Sequence, residues 1–283
     1  MSAEQATLAL IFDFDDTIAP DTTTKLLTRN DIDAEQFWKE EFVSRIEDGY
    51  DPTVAYLSAI IDKTKNGELA GLSDEGLRET GQSLDSVVFT GFQSLLADIQ
   101  DIVSEYDAIE IEFYVISEGL KTIIEATEIA AKLDHVYASE FSKTEGKVDG
   151  IKNAISFTDK TRYLFEINKG IDPTAEPTNP YAVNDRYEES DRRIPFENMI
   201  YVGDGLTDVP CFSLIKGRGG RTIGVYDSEY SSPKQEAILE IGAPHRAEGS
   251  PPKYSEDEKL GSLIRLAVEG LCTDRTIDRL EAL

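Results

Sequence analysis

Leu8–Thr17 reads LALIFDFDDT. An apolar run of strand length ends abruptly in acids. That is the pattern of a central parallel strand, buried on both faces, whose carboxyl end opens onto a polar cleft. No basic region precedes the apolar residues Ala6–Phe12 in MSAEQAT, and no small-residue cleavage site follows them. The segment therefore reads as a buried strand and not as a signal peptide.

Downstream, the character changes from Asp21 to Asp85. AEQFWKEEFVSRIED and TVAYLSAIIDKTKNG carry apolar residues at helical spacing, with no strand pattern between them. This block of roughly 65 residues has the size of a small helical domain. Then FQSLLADIQDIVSEY, Phe92–Tyr106, predicts an amphipathic helix, and IEIEFYVIS, Ile109–Ser117, a second buried strand. A helix is expected over Leu120–Leu133, a short strand over His135–Ala138, and a hairpin or irregular excursion over Glu140–Ile155. DKTRYLFEINKG, Asp159–Gly170, carries an Asp start and a Gly stop, both helix-boundary signals. Ile171–Glu197, broken by Pro173, Pro177, Pro180 and Pro195, reads as a long surface loop. Asn198–Gly203 and Thr222–Tyr226 read as further strands, with helices near Pro233–Ile241 and over Glu256–Leu271.

Strands alternating with helices give an α/β fold, a Rossmann-like three-layer α/β/α core with a mostly parallel sheet. The helical block falls between the first two core strands, so it is inserted into a core that is discontinuous in sequence. The expected division is a core of residues 1–20 and 86–283 and a helical cap of residues 21–85.

Composition narrows the function. The 283 residues are 40% apolar and 29% charged, an ordinary globular balance, but 55 Asp and Glu against 28 Lys and Arg leave a net charge of −27. Such a surface offers few cations to displace counterions from nucleic acid, and it repels anionic membranes. No stretch approaches a membrane span in length. A phosphorylated substrate would need a locally positive site inside this negative envelope. Cys211 and Cys272 have no metal-ligand or redox spacing, which points to reduced thiols and a cytoplasmic setting.

Four short motifs follow strands or open helices, where α/β folds bind ligands. In Asp13-Phe14-Asp15-Asp16-Thr17, two carboxylates two residues apart can reach one pocket, one as nucleophile and one as acid/base. A calcium loop also begins Asp-x-Asp, but Ile18 stands where it needs Gly and Thr24 where it needs Glu. Ser117-Glu118-Gly119 offers a hydroxyl and backbone N–H groups at an expected strand-to-helix turn, suited to phosphate oxygens and also common as a plain turn. Lys160 opens a helix, where the dipole disfavours a cation unless an anion faces it. Lys143, Lys147 and Lys152 are rivals in the glycine-broken segment before it. In Gly203-Asp204-Gly205-Leu206-Thr207-Asp208, two carboxylates four apart suit a hard cation. The third glycine of a dinucleotide fingerprint is absent.

In this order, the four motifs resemble those of the haloacid dehalogenase-like superfamily: DFDDT the first, the Ser of VISEG the second, Lys160 the third and GDGLTD the fourth. The resemblance covers the whole core, with the insertion placed like a C1-type cap. It implies a phosphatase in which Asp13 attacks phosphorus and carries a transient phosphoryl group, and Asp15 protonates the leaving oxygen and later activates water. Magnesium would be held by Asp13, the backbone carbonyl of Asp15, and Asp204, with Asp208 in support. Ser117 and Lys160 would hold phosphoryl oxygens, helped by Thr17 and the backbone around Asp16, Glu118 and Gly119. The partner implied is a small phosphorylated metabolite; oligomeric state is not legible. A phosphotransferase with the same motifs and a non-catalytic phosphate-binding module are the alternative readings.

Within the superfamily the likeness is to the phosphoserine phosphatase-like C1 group, with one departure. That group's substrate-reading glutamate would fall near Thr22, and its cap arginine has no counterpart in DPTVAYLSAIID. Phe37, Trp38 and Phe42, at helical spacing, read as cap core first and as a cage for a cationic head second.

Overall fold

The computed structural model of the chain describes residues 5–69, 71–175, 179–225 and 252–282. Among these, the strands are β1 Ala6–Phe12, β2 Ile109–Leu120, β3 His135–Thr144, β4 Lys147–Asn153, β5 Met199–Gly203 and β6 Arg221–Gly224. The helices are α1 Thr22–Arg29, α2 Ala34–Gln36, α3 Val43–Glu47, α4 Pro52–Asn66, α5 Asp74–Gln82, α6 Phe92–Ser104, α7 Lys121–Ile124, α8 Asp159–Lys169, α9 Val209–Gly217 and α10 Lys259–Glu281. A π-helical turn, Phe37–Phe42, joins α2 to α3. The fold is mixed α/β with a mostly parallel sheet, as the alternation of patterns predicts. Among the described residues, no helix is long and apolar enough to cross a membrane.

Two compact units emerge: Met1–Asp13, Phe89–Tyr114 and Phe157–Leu283 form one, and Phe14–Val88 with Val115–Ser156 the other. This is a different partition from a division at residues 20/21 and 85/86, since the second unit also takes in the end of β2, α7, β3 and β4. In the first unit the strand order is β2-β1-β5-β6. β1 pairs with β5 and β5 with β6 in parallel, with Leu10 opposite Ile200 and Val202 opposite Ile223. Leu8–Phe12 and Met199–Val202 are almost wholly buried, as continuous apolar strands inside a covered sheet must be. Because β1 and β5 run the same way, the acids that end both strands emerge at one sheet edge.

In the second unit, four helices begin at side-chain caps. The side chains of Asp21, Asp33, Asp51 and Ser73 each accept a first-turn N–H: Thr24 at 2.5 Å, Gln36 at 3.0 Å, Thr53 at 3.0 Å and Gly76 at 3.2 Å. Such a cap contributes about 1 kcal/mol. β3 and β4 form an antiparallel hairpin whose turn residues Glu145 and Gly146 both have positive φ, 51° and 76°, the geometry of a two-residue turn that matches strand twist.

Several boundaries differ from the sequence reading. β2 continues through Ser117-Glu118-Gly119 to Leu120, so that motif lies inside a strand instead of at a strand-to-helix turn. The helix expected over Leu120–Leu133 forms only as α7 and a 3-10 turn at Glu128–Lys132. β3 is longer than His135–Ala138 because the hairpin carries it on to Thr144. The described residues of Ile171–Glu197 form a loop with 3-10 turns at Ala182–Asn184 and Glu189–Asp191. α10 outruns its apolar pattern: Arg275 pairs with Glu197 at 2.8 Å and Asp278 at 3.0 Å, and Arg279 reaches the Asp107 carbonyl at 2.7 Å. The helix expected near Pro233–Ile241 and the strand end at Tyr226 lie outside the described residues.

The first unit's core includes an aromatic trio. Phe12, Phe92 and Tyr254 meet edge to face, with centroids 5.0, 5.1 and 6.4 Å apart, each pair contributing about 0.5–1.5 kcal/mol beyond its buried area. The Tyr254 segment is pinned against α10: a Cβ on Gly261 would lie 2.1 Å from the Ser255 carbonyl oxygen and 2.4 Å from that of Tyr254. Gly261→Ala should therefore lower unfolding free energy by about 1–3 kcal/mol in urea denaturation, despite alanine's better helix propensity; an unchanged or raised midpoint would show that this contact is slack.

Candidate active site

In the first unit, three elements converge on one buried cluster. β1 ends at Asp13, whose N–H donates to the Val202 carbonyl at 2.9 Å, fixing the acid against the end of β5. β5 leads into Asp204 and, through a 3-10 turn, Asp208. α8 contributes Lys160 from its first turn. The Lys160 side chain is wholly buried, and its Nζ donates to Asp13 Oδ2 at 2.9 Å and to Asp208 Oδ1 at 2.7 Å. A cation at a helix N-terminus, unfavourable by the dipole alone, is thereby offset by two carboxylates.

Asp208 is the most constrained member. Besides Lys160, its Oδ1 accepts from the Tyr201 hydroxyl at 2.7 Å, and its Oδ2 accepts from the Gly205 N–H at 3.0 Å. A Cβ on Gly203 would lie 2.4 Å from that Oδ2, so glycine there lets the carboxylate turn back onto its own loop. Tyr201 is a site residue that the motif reading missed. The signal was present: a hydroxyl inside the buried run MIYVG must find a partner.

Carboxylate oxygens of Asp13, Asp204 and Asp208 all lie within 4.8 Å of one another. Burial, opposed by Lys160 and reinforced by Asp208 and Asp204, pushes the Asp13 carboxyl up to about 7. Burial and the Asp208 charge likewise hold the Tyr201 phenol and the Cys211 thiol well above their usual ranges. Three carboxylates against one ammonium leave a negative excess in a buried place. This set of hard oxygen donors fits a divalent cation such as magnesium.

The second unit holds the other motif residues. Phe14 starts a tight turn in which Ile18 N–H donates to the Phe14 carbonyl at 2.8 Å and Asp16 N–H to the Ala19 carbonyl at 2.8 Å, with Asp16 at φ 55°. Asp15 accepts from Thr22, by its N–H at 2.8 Å and its hydroxyl at 3.3 Å. Thr17 and Ser117 are buried, and the Ser117 hydroxyl accepts from the Gly119 N–H at 3.0 Å. The Glu118 carbonyl accepts from Tyr56 at 2.5 Å. Two of the rival lysines are engaged elsewhere: Lys143 pairs with Asp74, and Lys152 with Glu140 at 3.0 Å. Trp38 packs edge to face on Phe37 and Phe42, both at 5.2 Å, and donates to Thr24 Oγ1 at 2.9 Å. These contacts make it a packing anchor of the helical segment.

Residues 10–213 match the family described as haloacid dehalogenase-like hydrolase. An uncharacterized protein of Borreliella burgdorferi is 29% identical over 240 residues, spanning 76% of this chain and 80% of that one. Among solved structures, a HAD family hydrolase from Salmonella enterica serovar Typhi superposes with a TM-score of 0.58 at 15% identity, over 87% of this chain and 68% of that one. A phosphoserine phosphatase solved as a phospho-aspartyl intermediate analogue gives 0.56 at 15% identity, over 93% and 99%. At these identities the structural likeness speaks for the fold.

Lys160→Met should expose how much the ammonium stabilises the cluster. Removing one partner of a buried ion pair strands the other, at a cost of about 3–5 kcal/mol. Urea denaturation of the variant in chelator should read that loss; a loss below about 1 kcal/mol would mean that the carboxylates are held by other groups.

Proposed function

The chain belongs to the haloacid dehalogenase-like hydrolase family, and from that premise we propose that it is a magnesium-dependent phosphatase that hydrolyses a small phosphomonoester through an aspartyl-phosphate on Asp13. The observation that carries this reading is the Asp13–Lys160–Asp208 bridge with Asp204 beside it, at the ends of two adjacent parallel strands.

Asp13 would attack phosphorus through one carboxylate oxygen while the bond to the leaving oxygen breaks. The departing electron pair stays on that oxygen, and Asp15, two residues along the chain, supplies its proton. Water then attacks the phosphoryl group, Asp15 takes the water's proton, and the bond to Asp13 breaks to release phosphate. Lys160 offsets the repulsion between carboxylate and phosphate dianion and holds Asp13 in place. Asp13, Asp204 and the Asp15 backbone carbonyl would hold magnesium, supported by Asp208; when bound, it would supply charge neutralisation for the phosphoryl oxygens. Ser117 and Thr17, with the backbone around Asp16, Glu118 and Gly119, are the phosphate-binding candidates carried over from the family likeness.

Residues 21–85, whose described regular elements are α1–α5 and the π-helical turn, are the candidate cap that selects the substrate, inserted in a core of 1–20 and 86–283. The free, buried thiols of Cys211 and Cys272 are in keeping with a reducing compartment such as the cytoplasm.

A screen of diverse phosphomonoesters with magnesium should give inorganic phosphate release that stops in excess EDTA and returns on adding magnesium. Asp204→Asn should need more magnesium for half-maximal rate, and Asp13→Asn should lose the activity outright. Undiminished turnover in chelator, or in Asp13→Asn, would remove the basis of the reading.

A further inference from the structure

The Asp15 carboxylate is held in a way that the family motifs do not specify. Thr22, the first residue of α1, donates to both of its oxygens: the backbone N–H to Oδ1 at 2.8 Å and the hydroxyl to Oδ2 at 3.3 Å. Thr22 is wholly buried, so solvent does not compete for that hydroxyl. On the other side, Gly119 comes so close that a Cβ there would lie 2.3 Å from Asp15 Oδ2 and 2.9 Å from Thr22 Oγ1. The carboxylate is thus seated between a helix-start residue and a bare Cα. The seat is itself fixed, because Asp21 caps α1 through the Thr24 N–H.

We propose that Thr22 is a positioning residue for Asp15: its hydroxyl, against the Gly119 backbone, sets the carboxyl orientation from which the proton reaches the leaving oxygen. This rests on the reading of Asp15 as the general acid. The hydroxyl stabilises one rotamer of Asp15 and has no part in the chemistry itself. Its loss should matter in proportion to how much the leaving group needs a proton. An alkoxide leaves poorly unless protonated, whereas an acidic phenol leaves without help.

The experiment compares wild type, Thr22→Val, Thr22→Ser and Asp15→Asn on an alkyl phosphate and on p-nitrophenyl phosphate. The readout is kcat/KM, which reports only steps up to leaving-group departure. Valine keeps the shape and removes the hydroxyl; serine restores it. Since a general acid contributes about 10²–10⁴-fold, partial misorientation in Thr22→Val should cost about tenfold on the alkyl ester and less than about threefold on the aryl ester, and Thr22→Ser should recover most of the difference. Equal losses on both esters, no loss on either, or failure of serine to rescue would overturn the role of Thr22. Wild type inactive on both esters, or Asp15→Asn without selective loss on the alkyl ester, would instead overturn the reading of Asp15 and the role of Thr22 with it.

Discussion

A buried ammonium needs negative partners, and the first unit is organised around satisfying one. Lys160 sits in a dry place at the unfavourable end of a helix, so its charge is tolerable only while Asp13 and Asp208 face it at 2.9 and 2.7 Å. That requirement reaches back into the sheet. β1 and β5 must be parallel neighbours in the register that sets Phe12 opposite Val202, or the acids following them would not share an edge. Gly203 must lack a side chain, or Asp208 could not fold back. Tyr201 and the Gly205 N–H hold Asp208 at further acceptor sites, leaving it little freedom to leave the lysine. The negative excess that remains, from Asp13 and Asp204, is what invites a divalent cation and then a phosphate dianion.

The second unit solves a different problem: it orders a polar turn and a set of helices around its own apolar core, which includes Phe14, Leu27, Phe37, Leu57, Ile60 and Ile123. Local hydrogen bonding at helix starts adds to that core, as does Trp38, tied to α1 through Thr24. The same device serves Asp15. A residue at the start of α1 donates to the carboxylate, so the orientation of a chemically important side chain depends on how that helix begins.

The fold was legible where burial is continuous, because apolar runs ending in acids leave few interpretations: β1, β5 and the first and fourth motifs came directly from LALIFDFDDT and NMIYVGDG. Lys160 was legible only as an anomaly, a cation where the helix dipole argues against it. The extent of β2 was not, since a glycine within SEG resembles a turn unless one knows that Tyr56 and Asp15 crowd against that backbone. α10 outran its apolar pattern because its last turns are held by ion pairs. Tyr201 and Thr22 escaped for the same reason: each acts through a carboxylate named by a motif, and single-residue partners leave no spacing signature.

The central claim is that Asp13 carries phosphate covalently while Asp15 moves the protons. Intact-protein mass is the direct measurement: Asp15→Asn mixed with magnesium and an aryl phosphate, quenched rapidly in acid, then mapped by peptide fragmentation. A phenolic group departs without the acid, but hydrolysis of the adduct lacks its base, so a phosphoryl group should accumulate on Asp13 and be absent from Asp13→Asn. An adduct that persists in Asp13→Asn, or that maps to Asp16 or any other residue, would contradict the account.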